Sequence, residues 1–338
     1  MPKLRATVHR GTPRAIALLA RALQRGELVA VPTETVYGLA ADALNPRACR
    51  SIFRAKGRPT NDPLIVHVHS LAQLDQLAIR NEAAAAVAKA FWPGPLTLVL
   101  PKRSCVPDIV TSGLDSVAIR MPAHPLLRKL LRACDRPLAA PSANAFGYIS
   151  PTTAEHVLDG LGNRIRHILD GGPCRIGLES TILDLRDPKH PKILRPGAIE
   201  RPELERVLGR RVSLVSRHLT SAKKAAIAPG MLTKHYSPRT PLELHAKLRV
   251  PRSTAPHADE AFVFLCPPSA LRKTKAPAAN VFVLSKTGTL DDAAHSLFAT
   301  LRRLDRGKWT RIHAELARGQ SALAIAINDR LTRAAAKR

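Results

Sequence analysis

The sequence is poor in aromatic residues, in paired cysteines and in long apolar runs. Only 4% of its 338 residues are aromatic, so it offers few of the stacking surfaces typical of proteins that bind single-stranded nucleic acids. Its five cysteines are scattered and form no C-x-x-C pair, which argues against a zinc ribbon and a disulfide framework and favours reduced thiols. No apolar run approaches the ~20 residues that span a bilayer.

Acidic residues are scarce too, with 26 Asp and Glu against 53 Lys and Arg, for a formal net charge of +27. Such a charge attracts polyanions such as nucleotides, RNA and acidic membranes without identifying which, and a solubilising basic surface is an equal alternative. Residues 1–14 are basic but lack the apolar core of a signal peptide. The helix predicted after Thr12 argues against an organelle presequence. We therefore expect a cytoplasmic protein that does not contact membranes.

The length predicts about two domains of roughly 150 residues. Short apolar strands alternate irregularly with helices, which favours a mixed α/β sheet over residues 1–212. Residues 213–240 carry five basic and no acidic side chains and place His235 and Tyr236 between prolines, so we predict a linker that is more than a spacer. Residues 241–338 predict a small Rossmann-like domain, without the glycine fingerprint of a dinucleotide site.

The stretch from Pro32 to His67 is the richest in chemistry. It follows an apolar strand predicted at 28–31 and opens with the hydroxyls of Thr33 and Thr35. In α/β sheets, ligands bind in the crevice beyond the strand ends. Lys56 and Arg58 follow one helix later, and such a pair can hold phosphates. A solvated helix end is the alternative interpretation of the pair.

Further polar candidates lie at the ends of other predicted strands. Arg120 and Arg195 each follow a strand and precede a proline, so each is a candidate anion ligand or a partner in a structural ion pair. Ser142, Asn144 and Ser180 flank buried strands, where they could orient a small polar substrate or serve as turn residues. The sequence has no Ser-His-Asp order, metal-ligand cluster or P-loop. Many anion-holding groups without a nucleophile are typical of nucleotidyl transfer, in which positioning and charge neutralisation do most of the work.

Several motifs occur together in a characteristic order. They are Pro32-Thr-Glu-Thr-Val-Tyr-Gly-Leu39, Lys56-Gly-Arg-Pro59, Pro63-Leu-Ile-Val-His67, Trp92-Pro-Gly-Pro-Leu-Thr97, Arg120-Met-Pro-Ala-His-Pro125, Pro141-Ser-Ala-Asn144, Leu194-Arg-Pro-Gly197 and Pro229-Gly-Met-Leu-Thr-Lys-His-Tyr-Ser-Pro238. With the ending Ala324–Leu331, this set resembles the YrdC-like family of L-threonylcarbamoyladenylate synthases in its long, two-domain form. The resemblance implies an α/β fold: a twisted mixed sheet with helices and a concave basic pocket, plus a small C-terminal Rossmann-like domain.

The resemblance also implies a nucleotidyltransferase reaction. L-threonine, bicarbonate or CO₂ and ATP, with Mg²⁺, would give threonylcarbamoyl-AMP and pyrophosphate. A partner tRNA threonylcarbamoyltransferase would then modify tRNAs that read ANN codons. Direct contact with tRNA or double-stranded RNA is left open.

The resemblance assigns roles to individual residues. Lys56 and Arg58 would hold the ATP phosphates and, with Thr35, act in catalysis. The amino acid and carbamate would contact Thr33, Thr35, His67, Arg120, Ser142 and Ser180. The nucleotide side would comprise Asp62, Ser116, Asn144, Ser150, Thr152, Arg195 and, reaching over from the linker, Tyr236.

One position departs from the family pattern, since Asp62 stands where Asn is common before Pro-Leu. An acid there would repel phosphate unless it binds Mg²⁺ or points away. We expect no other metal ligand from the protein.

The main rival is a double-stranded RNA or tRNA-binding module without turnover, which the net charge supports. A carbamoyl-adenylate-forming maturation protein is a second rival, although its zinc-binding cysteine clusters are missing from this sequence. A nucleotide sensor without turnover is a third.

Overall fold

The computed structural model describes residues 5–215, 235–249, 259–267 and 279–336. The described strands are β1 (Thr7–Arg10), β2 (Val29–Val31), β3 (Gly38–Asp42), β4 (Ile65–His67), β5 (Leu96–Pro101), β6 (Ser116–Arg120), β7 (Leu138–Ala139), β8 (His167–Asp170), β9 (Thr181–Asp184), β10 (Lys192–Arg195), β11 (Ser213–Leu214), β12 (Leu242–His245), β13 (Glu260–Phe264), β14 (Val281–Val283) and β15 (Arg311–Glu315). The described helices are α1 (Pro13–Gln24), α2 (Pro46–Lys56), α3 (Leu71–Leu77), α4 (Glu82–Phe91), α5 (Asp108–Thr111), α6 (Pro125–Cys134), α7 (Ala154–Leu161), α8 (Arg201–Leu208), α9 (Leu290–Asp305) and α10 (Ala322–Ala334). Among these helices, none is long and apolar enough to cross a bilayer.

The strands form two sheets. The larger has 11 strands in the order β1-β8-β2-β3-β7-β4-β6-β5-β9-β10-β11 and mixes parallel with antiparallel pairs. The smaller has 4 strands in the order β12-β15-β13-β14, all of them parallel. The predicted mixed α/β sheet and the predicted strands of the C-terminal region are therefore present. Ser213 and Leu214 pair with β10, so the large sheet extends two residues into the segment predicted as linker.

Local sequence signals explain the helix ends near the cavity described below. The Thr12 side chain accepts a hydrogen bond from the amide of Ala15 at the start of α1, and Asn45 caps α2 in the same way. Gly57 ends α2 in the left-handed conformation with φ of 65°, which only glycine adopts without strain. This turn brings the amide of Arg58 back to the carbonyl of Phe53, 3.0 Å away, and so positions Lys56 and Arg58 on either side of the helix end.

Helices cover both faces of the large sheet, as alternation along β2 shows. Val29 and Val31 belong to one buried cluster with residues of α1 and α6, whereas Ala30 faces a second cluster that includes residues of α2 and α4. The sequence did not predict β3, which pairs antiparallel with β2. All five of its residues are buried, so it carries no polar and apolar alternation to signal a strand.

The small sheet and its helices share one core with the large-sheet region. Val36, Ile149 and Leu178 lie in the same buried cluster as Leu297 of α9 and Ile327 of α10. Arg302 of α9 is 2% exposed and donates to the carbonyls of Ile149, Ser150 and His156 at 2.5, 3.3 and 3.3 Å. A single buried guanidinium thus joins α9 to the segment that leads into α7.

We expect the substitution Arg302→Met to lower the free energy of unfolding by about 3 kcal/mol, because charge-assisted hydrogen bonds are lost and buried carbonyls remain without a donor. The matched control is Arg306→Met at the C-terminal cap of the same helix. Arg306 forms a half-exposed ion pair with Asp159, which should contribute less than about 1 kcal/mol. Denaturant titration measures both variants, and equal losses would contradict the assigned role of Arg302.

Candidate active site

A cavity lies where several strand ends of the large sheet meet the chain segment around Tyr236. Its walls come from the β2–β3 loop, the ends of β4, β6 and β10, the segment after β7 and the start of β9. The lining residues are Thr33, Thr35, Val36, Gly38, Arg58, Ile65, His67, Arg120, Ala140, Pro141, Ser142, Glu179, Ser180, Arg195, His235 and Tyr236.

The hydroxyls of Thr33 and Thr35 are held in a tight turn. Thr33 Oγ1 accepts from the amides of Thr35 and Val36 at 3.0 and 3.1 Å and donates to the carbonyl of Val36 at 2.6 Å. Its remaining contact is with Thr35 Oγ1 at 2.8 Å. Thr35 Oγ1 in turn accepts from Arg120 Nη1 at 2.9 Å. Both hydroxyls are therefore fixed at the cavity wall before any ligand binds.

Arg120 forms a buried ion pair with Glu34, a residue that the sequence analysis did not single out. Arg120 Nη2 lies 2.6 Å from Glu34 Oε1, and both side chains are 4% exposed. Burial works to raise the pKa of Glu34, but the charge and hydrogen bond of Arg120 hold it below its usual value. The Arg120 charge is thus balanced within the protein, which fixes the guanidinium in place.

His67 stands beside Arg120, since the two residues are register partners in the parallel pair β4–β6. Burial, reinforced by the Arg120 charge, lowers the pKa of His67 to about 3. The imidazole is therefore neutral at pH 7, and its buried Nδ1 has no hydrogen-bond partner among the described residues.

Lys56 and Arg58 both lie inside the protein, so the solvated-helix-end interpretation is wrong. The ammonium of Lys56 donates to the carbonyls of Ser142 and Asn144 at 2.5 and 2.6 Å. Burial, aided by Arg58, lowers its pKa well below the usual value. Within the described chain, no carboxylate lies within ion-pair distance of Lys56.

Asp62 is the counter-ion of Arg58. Its Oδ2 lies 2.9 Å from Arg58 Nη2, with side-chain exposures of 0% and 3%. Arg58 also donates to the carbonyls of Asp62 and Pro63 at 3.0 and 2.8 Å. The acid that departs from the family pattern is therefore neutralised by the arginine four residues before it.

Ser180 and Arg195 form a second polar group across the cavity. Arg195 donates to the Ser180 carbonyl and hydroxyl at 3.1 and 3.0 Å, and Thr97 Oγ1 lies 2.7 Å from Ser180 Oγ. Burial lowers the pKa of Arg195 to about 10. Its guanidinium is still charged at pH 7, and Ser180 is oriented from two sides.

Glu179 and Arg330 are two functional candidates that sequence reasoning missed. Glu179 lines the cavity. It accepts from Ser150 Oγ at 2.6 Å and from Arg330 Nε at 3.0 Å. Arg330 lies on α10, has no exposed side-chain surface and also donates to the Pro196 carbonyl at 2.8 Å. The one sequence signal for Arg330 was its place in the Ala324–Leu331 motif, which assigned it no role.

His235 and Tyr236 are brought into the cavity wall, as the linker prediction expected of Tyr236. The Tyr236 ring stacks on Phe298 of α9 with centroids 5.4 Å apart, and the guanidinium groups of Arg330 and Arg333 lie 5.6 and 5.0 Å from its centroid. Tyr236 has a positive φ of 64°, an uncommon conformation for a bulky residue. Its buried hydroxyl has no partner among the described residues.

Several buried cations act on His235 in the cavity wall. Burial, and then the charges of Arg333, Arg58, Lys56 and Arg195, hold the pKa of His235 well below its usual value. Four cations from three parts of the sequence therefore act on one neutral ring. A cavity of this kind is suited to an anionic ligand.

The structure brings most of the predicted site residues together. Nine of them line the cavity: Thr33, Thr35, Arg58, His67, Arg120, Ser142, Ser180, Arg195 and Tyr236. Lys56 and Asp62 lie directly behind that wall. Lys56 donates to the carbonyl of Ser142, and Asp62 pairs with Arg58. Four are buried but are not among the lining residues: Ser116, Asn144, Ser150 and Thr152.

Comparison with known proteins decides the family. The Sua5/YciO/YrdC profile, described as "Telomere recombination", matches residues 21–197. A profile described as "Threonylcarbamoyl-AMP synthase, C-terminal domain" matches residues 199–336. The chain belongs to the Sua5/YciO/YrdC family. This result confirms the resemblance, including its long two-domain form.

Members of this family named threonylcarbamoyl-AMP synthase resemble the chain closely. The protein from Pyrococcus abyssi is 41% identical over 334 residues, covering 96% of this chain and 94% of that protein. The protein from Bacillus subtilis is 48% identical over 234 residues, covering 68% of this chain and 66% of that protein.

A solved structure of this family confirms the fold. The crystal structure of P. abyssi Sua5 complexed with L-threonine matches with a TM-score of 0.87 at 39% identity, over 98% of both chains. A variant of the same protein, with an adjacent His and Tyr replaced by Ala, matches with a TM-score of 0.85. The predicted α/β fold, with its YrdC-like sheet and C-terminal domain, is thereby confirmed.

The buried histidines predict a loss of stability in acid. The pKa values of His67 and His156 are about 3 and 4 in the folded protein, against roughly 6.5 in an unfolded chain. As the pH falls below 6.5, only the unfolded state takes up these protons. Each group should therefore remove up to about 1.4 kcal/mol of unfolding free energy per pH unit.

The variant His67→Gln isolates one of these groups. Between pH 7 and pH 5 we expect its unfolding free energy to fall less steeply than that of the wild type. The two slopes should differ by up to about 1.4 kcal/mol per pH unit, the contribution of one proton. His190→Gln, at an exposed histidine, serves as the control for the substitution. Parallel curves for the wild type and His67→Gln would refute the assignment.

Proposed function

We propose that this chain is a threonylcarbamoyl-AMP synthase, a nucleotidyltransferase that condenses L-threonine, bicarbonate or CO₂ and ATP to threonylcarbamoyl-AMP and pyrophosphate. The observation that carries the proposal is the set of buried cations in and beside the cavity, Lys56, Arg58, Arg195 and Arg333, whose charges act on His235. A nucleoside triphosphate supplies the matching negative charge. The relationship to the P. abyssi protein, whose crystal structure contains L-threonine, supports the choice of amino acid.

In the proposed arrangement the amino acid lies at the Thr33–Arg120 end of the cavity. Thr33, Thr35, His67, Arg120, Ser142 and Ser180 contact the threonine and its carbamate. The neutral imidazole of His67 has a buried Nδ1 without a described partner, so it can bond to the substrate. The fixed Arg120–Thr35 pair presents donors to a carboxylate without having to reorganise.

The triphosphate lies at the other end, near Lys56 and Arg58. Among the described residues, the hydrogen-bond partners of Lys56 are carbonyls, so its charge is available to the phosphates. In the reaction an oxygen of the threonine carbamate attacks the α-phosphorus, the bond to the β-phosphate breaks, and pyrophosphate leaves. Lys56 and Arg58 stabilise the charge that develops on the departing group. Ser116, Asn144, Ser150, Thr152, Arg195 and Tyr236 serve the nucleotide side.

Closure of the cavity protects a carbamate, which is unstable in water, from hydrolysis. In this proposal residues 1–212 form the catalytic domain, residues 213–240 the lid and residues 241–338 the supporting C-terminal domain. The contacts of Tyr236 with Phe298, Arg330 and Arg333 support the lid role. His235 shares the lid position.

In this proposal Mg²⁺ is bound by the ATP phosphates and not by a separate site on the protein. The carboxylates in and beside the cavity each pair with an arginine: Glu34 with Arg120, Asp62 with Arg58 and Glu179 with Arg330. This set of described side chains does not fit a protein cage for Mg²⁺, which prefers one or two carboxylates together with phosphates and water. Asp62 is accordingly not proposed as a metal ligand.

The product is a reactive mixed anhydride. We propose that a tRNA threonylcarbamoyltransferase uses this product in the next step. We also propose that the reaction takes place in the cytoplasm. The net charge of +27 also keeps double-stranded RNA or tRNA binding without turnover as the alternative.

Pyrophosphate release tests the reaction directly. With ATP, Mg²⁺ and bicarbonate, L-threonine should stimulate release well above serine or alanine, because the cavity fixes donors around one amino acid. Release that is equal for all three amino acids would contradict the proposal.

Substitution of Lys56 by Ala should lower threonine-dependent pyrophosphate release by at least about 100-fold, since the loss of a charged group at a phosphate costs several kcal/mol in the transition state. Lys89→Ala, at an exposed lysine near the end of α4, is the matched control and should retain activity. Unchanged turnover in Lys56→Ala together with weakened RNA binding would favour the RNA-binding alternative.

A further inference from the structure

A cluster of two histidines and a glutamate lies on the small sheet, away from the cavity. Glu243 and His245 are on β12 and His313 is on the neighbouring β15, where Glu243 and His313 are register partners. One ligand atom from each of the three lies within 4.8 Å of the other two. We propose that these three side chains bind a divalent transition-metal ion, specifically Zn²⁺.

The distances match the separation of zinc ligands. His245 Nε2 lies 2.9 Å from His313 Nδ1, and Glu243 Oε2 lies 3.6 Å from the same nitrogen. Zinc–nitrogen and zinc–oxygen bonds of about 2.0–2.1 Å in a tetrahedron place ligand atoms about 3.3 Å apart. The two distances lie on either side of that value, so an ion needs only small side-chain adjustments.

A second carboxylate lies beside the outer nitrogen of His313. Glu260 Oε2 lies 3.4 Å from His313 Nε2. Because a carboxylate can only accept, this contact favours the proton on Nε2 and leaves the lone pair of Nδ1 facing His245 and Glu243. A ligating histidine whose outer nitrogen faces a carboxylate is a common feature of zinc sites.

The surroundings hold the ligands in place. The His313 ring stacks on Phe262 with centroids 4.9 Å apart and planes 15° from parallel. Arg311 pairs with Glu243 through Oε1, which leaves Oε2 on the histidine side. Two histidines and one carboxylate form a donor set that zinc enzymes use with a fourth position for water.

The cluster is separate from the proposed active site. Ile312 and Ala314, which alternate with His313 along β15, belong to the core that packs against α9 and α10. His313 therefore points to the opposite face of the small sheet. Glu243 is 47% exposed at its side chain, so an ion can enter from solvent.

The chain provides a matched control in a second histidine pair. His9 Nε2 lies 3.1 Å from His167 Nδ1 on the large sheet, and Glu27 lies 3.5 Å from the far nitrogen, His167 Nε2. That pair has a similar ring contact but no carboxylate facing the shared gap. Among the described residues, no third His, Cys, Asp or Glu ligand atom lies within 4.8 Å of both histidines of this pair.

The test is zinc binding by the full-length protein after metal removal with a chelator, measured by competition with a chromophoric chelator. We expect one site that His245→Gln or Glu243→Gln weakens by at least about 100-fold. The outer substitution Glu260→Gln should weaken it by about 10- to 100-fold. His9→Gln should bind as the wild type does, and circular dichroism checks that each variant is folded.

Cobalt binding provides a second measurement, because a histidine pair that has only a structural role would give no cobalt absorption bands. Co²⁺ in the wild-type site should give visible absorption bands that are lost in His245→Gln and kept in His9→Gln. Three results would overturn the proposal: no zinc uptake by the wild type, equal uptake by the wild type and His245→Gln, or equal loss in His9→Gln. Because the measured quantity is metal binding, the outcome is independent of the proposed function.

Discussion

The buried ion pair between Glu179 and Arg330 is the interaction on which the rest of the site depends. Its two residues are separated by 151 positions in the sequence, one at the start of β9 and the other on α10. The carboxylate also accepts from Ser150, and the guanidinium lies over the ring of Tyr236. The C-terminal helix thereby packs directly behind the cavity wall, and both family regions contribute lining residues, the second through His235 and Tyr236.

Pairing of charges explains how so many cations can be buried together. An isolated buried charge is costly, but a pair with good geometry recovers much of that cost. Arg58, Arg120 and Arg330 each have a carboxylate partner, and these pairs fix the framework. Lys56 is different, because its described partners are neutral carbonyls. The charges of Lys56 and its neighbouring arginines act on His235, and an anionic substrate completes the balance.

Much of the fold could be predicted from local sequence. Thr12 and Asn45 start their helices through side-chain caps, and Gly57 ends α2, because these effects depend on neighbouring residues only. The strand β3 could not be predicted in this way. Its sequence Gly-Leu-Ala-Ala-Asp is buried throughout, and its pairing with β7 joins residues almost 100 positions apart in the sequence.

The candidate site was predictable to a similar extent. Residues singled out from the sequence, such as Thr33, Arg120 and Ser180, do reach the cavity. Glu34 and Glu179 are the direct sequence neighbours of Thr33 and Ser180, but a carboxylate in an anion site has no local signal of its function. Its value as a counter-ion depends on an arginine that only the folded chain brings close. Asp62 illustrates the same limit, since its pairing with Arg58 becomes evident only when the turn at Gly57 is formed.

The most direct measurement is a double-mutant cycle on unfolding free energy with Glu179→Gln, Arg330→Met and the combined variant. If the pair joins the two regions, each single substitution leaves a buried charge unpaired and should cost about 3–5 kcal/mol. The combined variant should then cost no more than either single variant, which gives a large coupling energy. Additive losses, with a coupling energy near zero, would contradict the account.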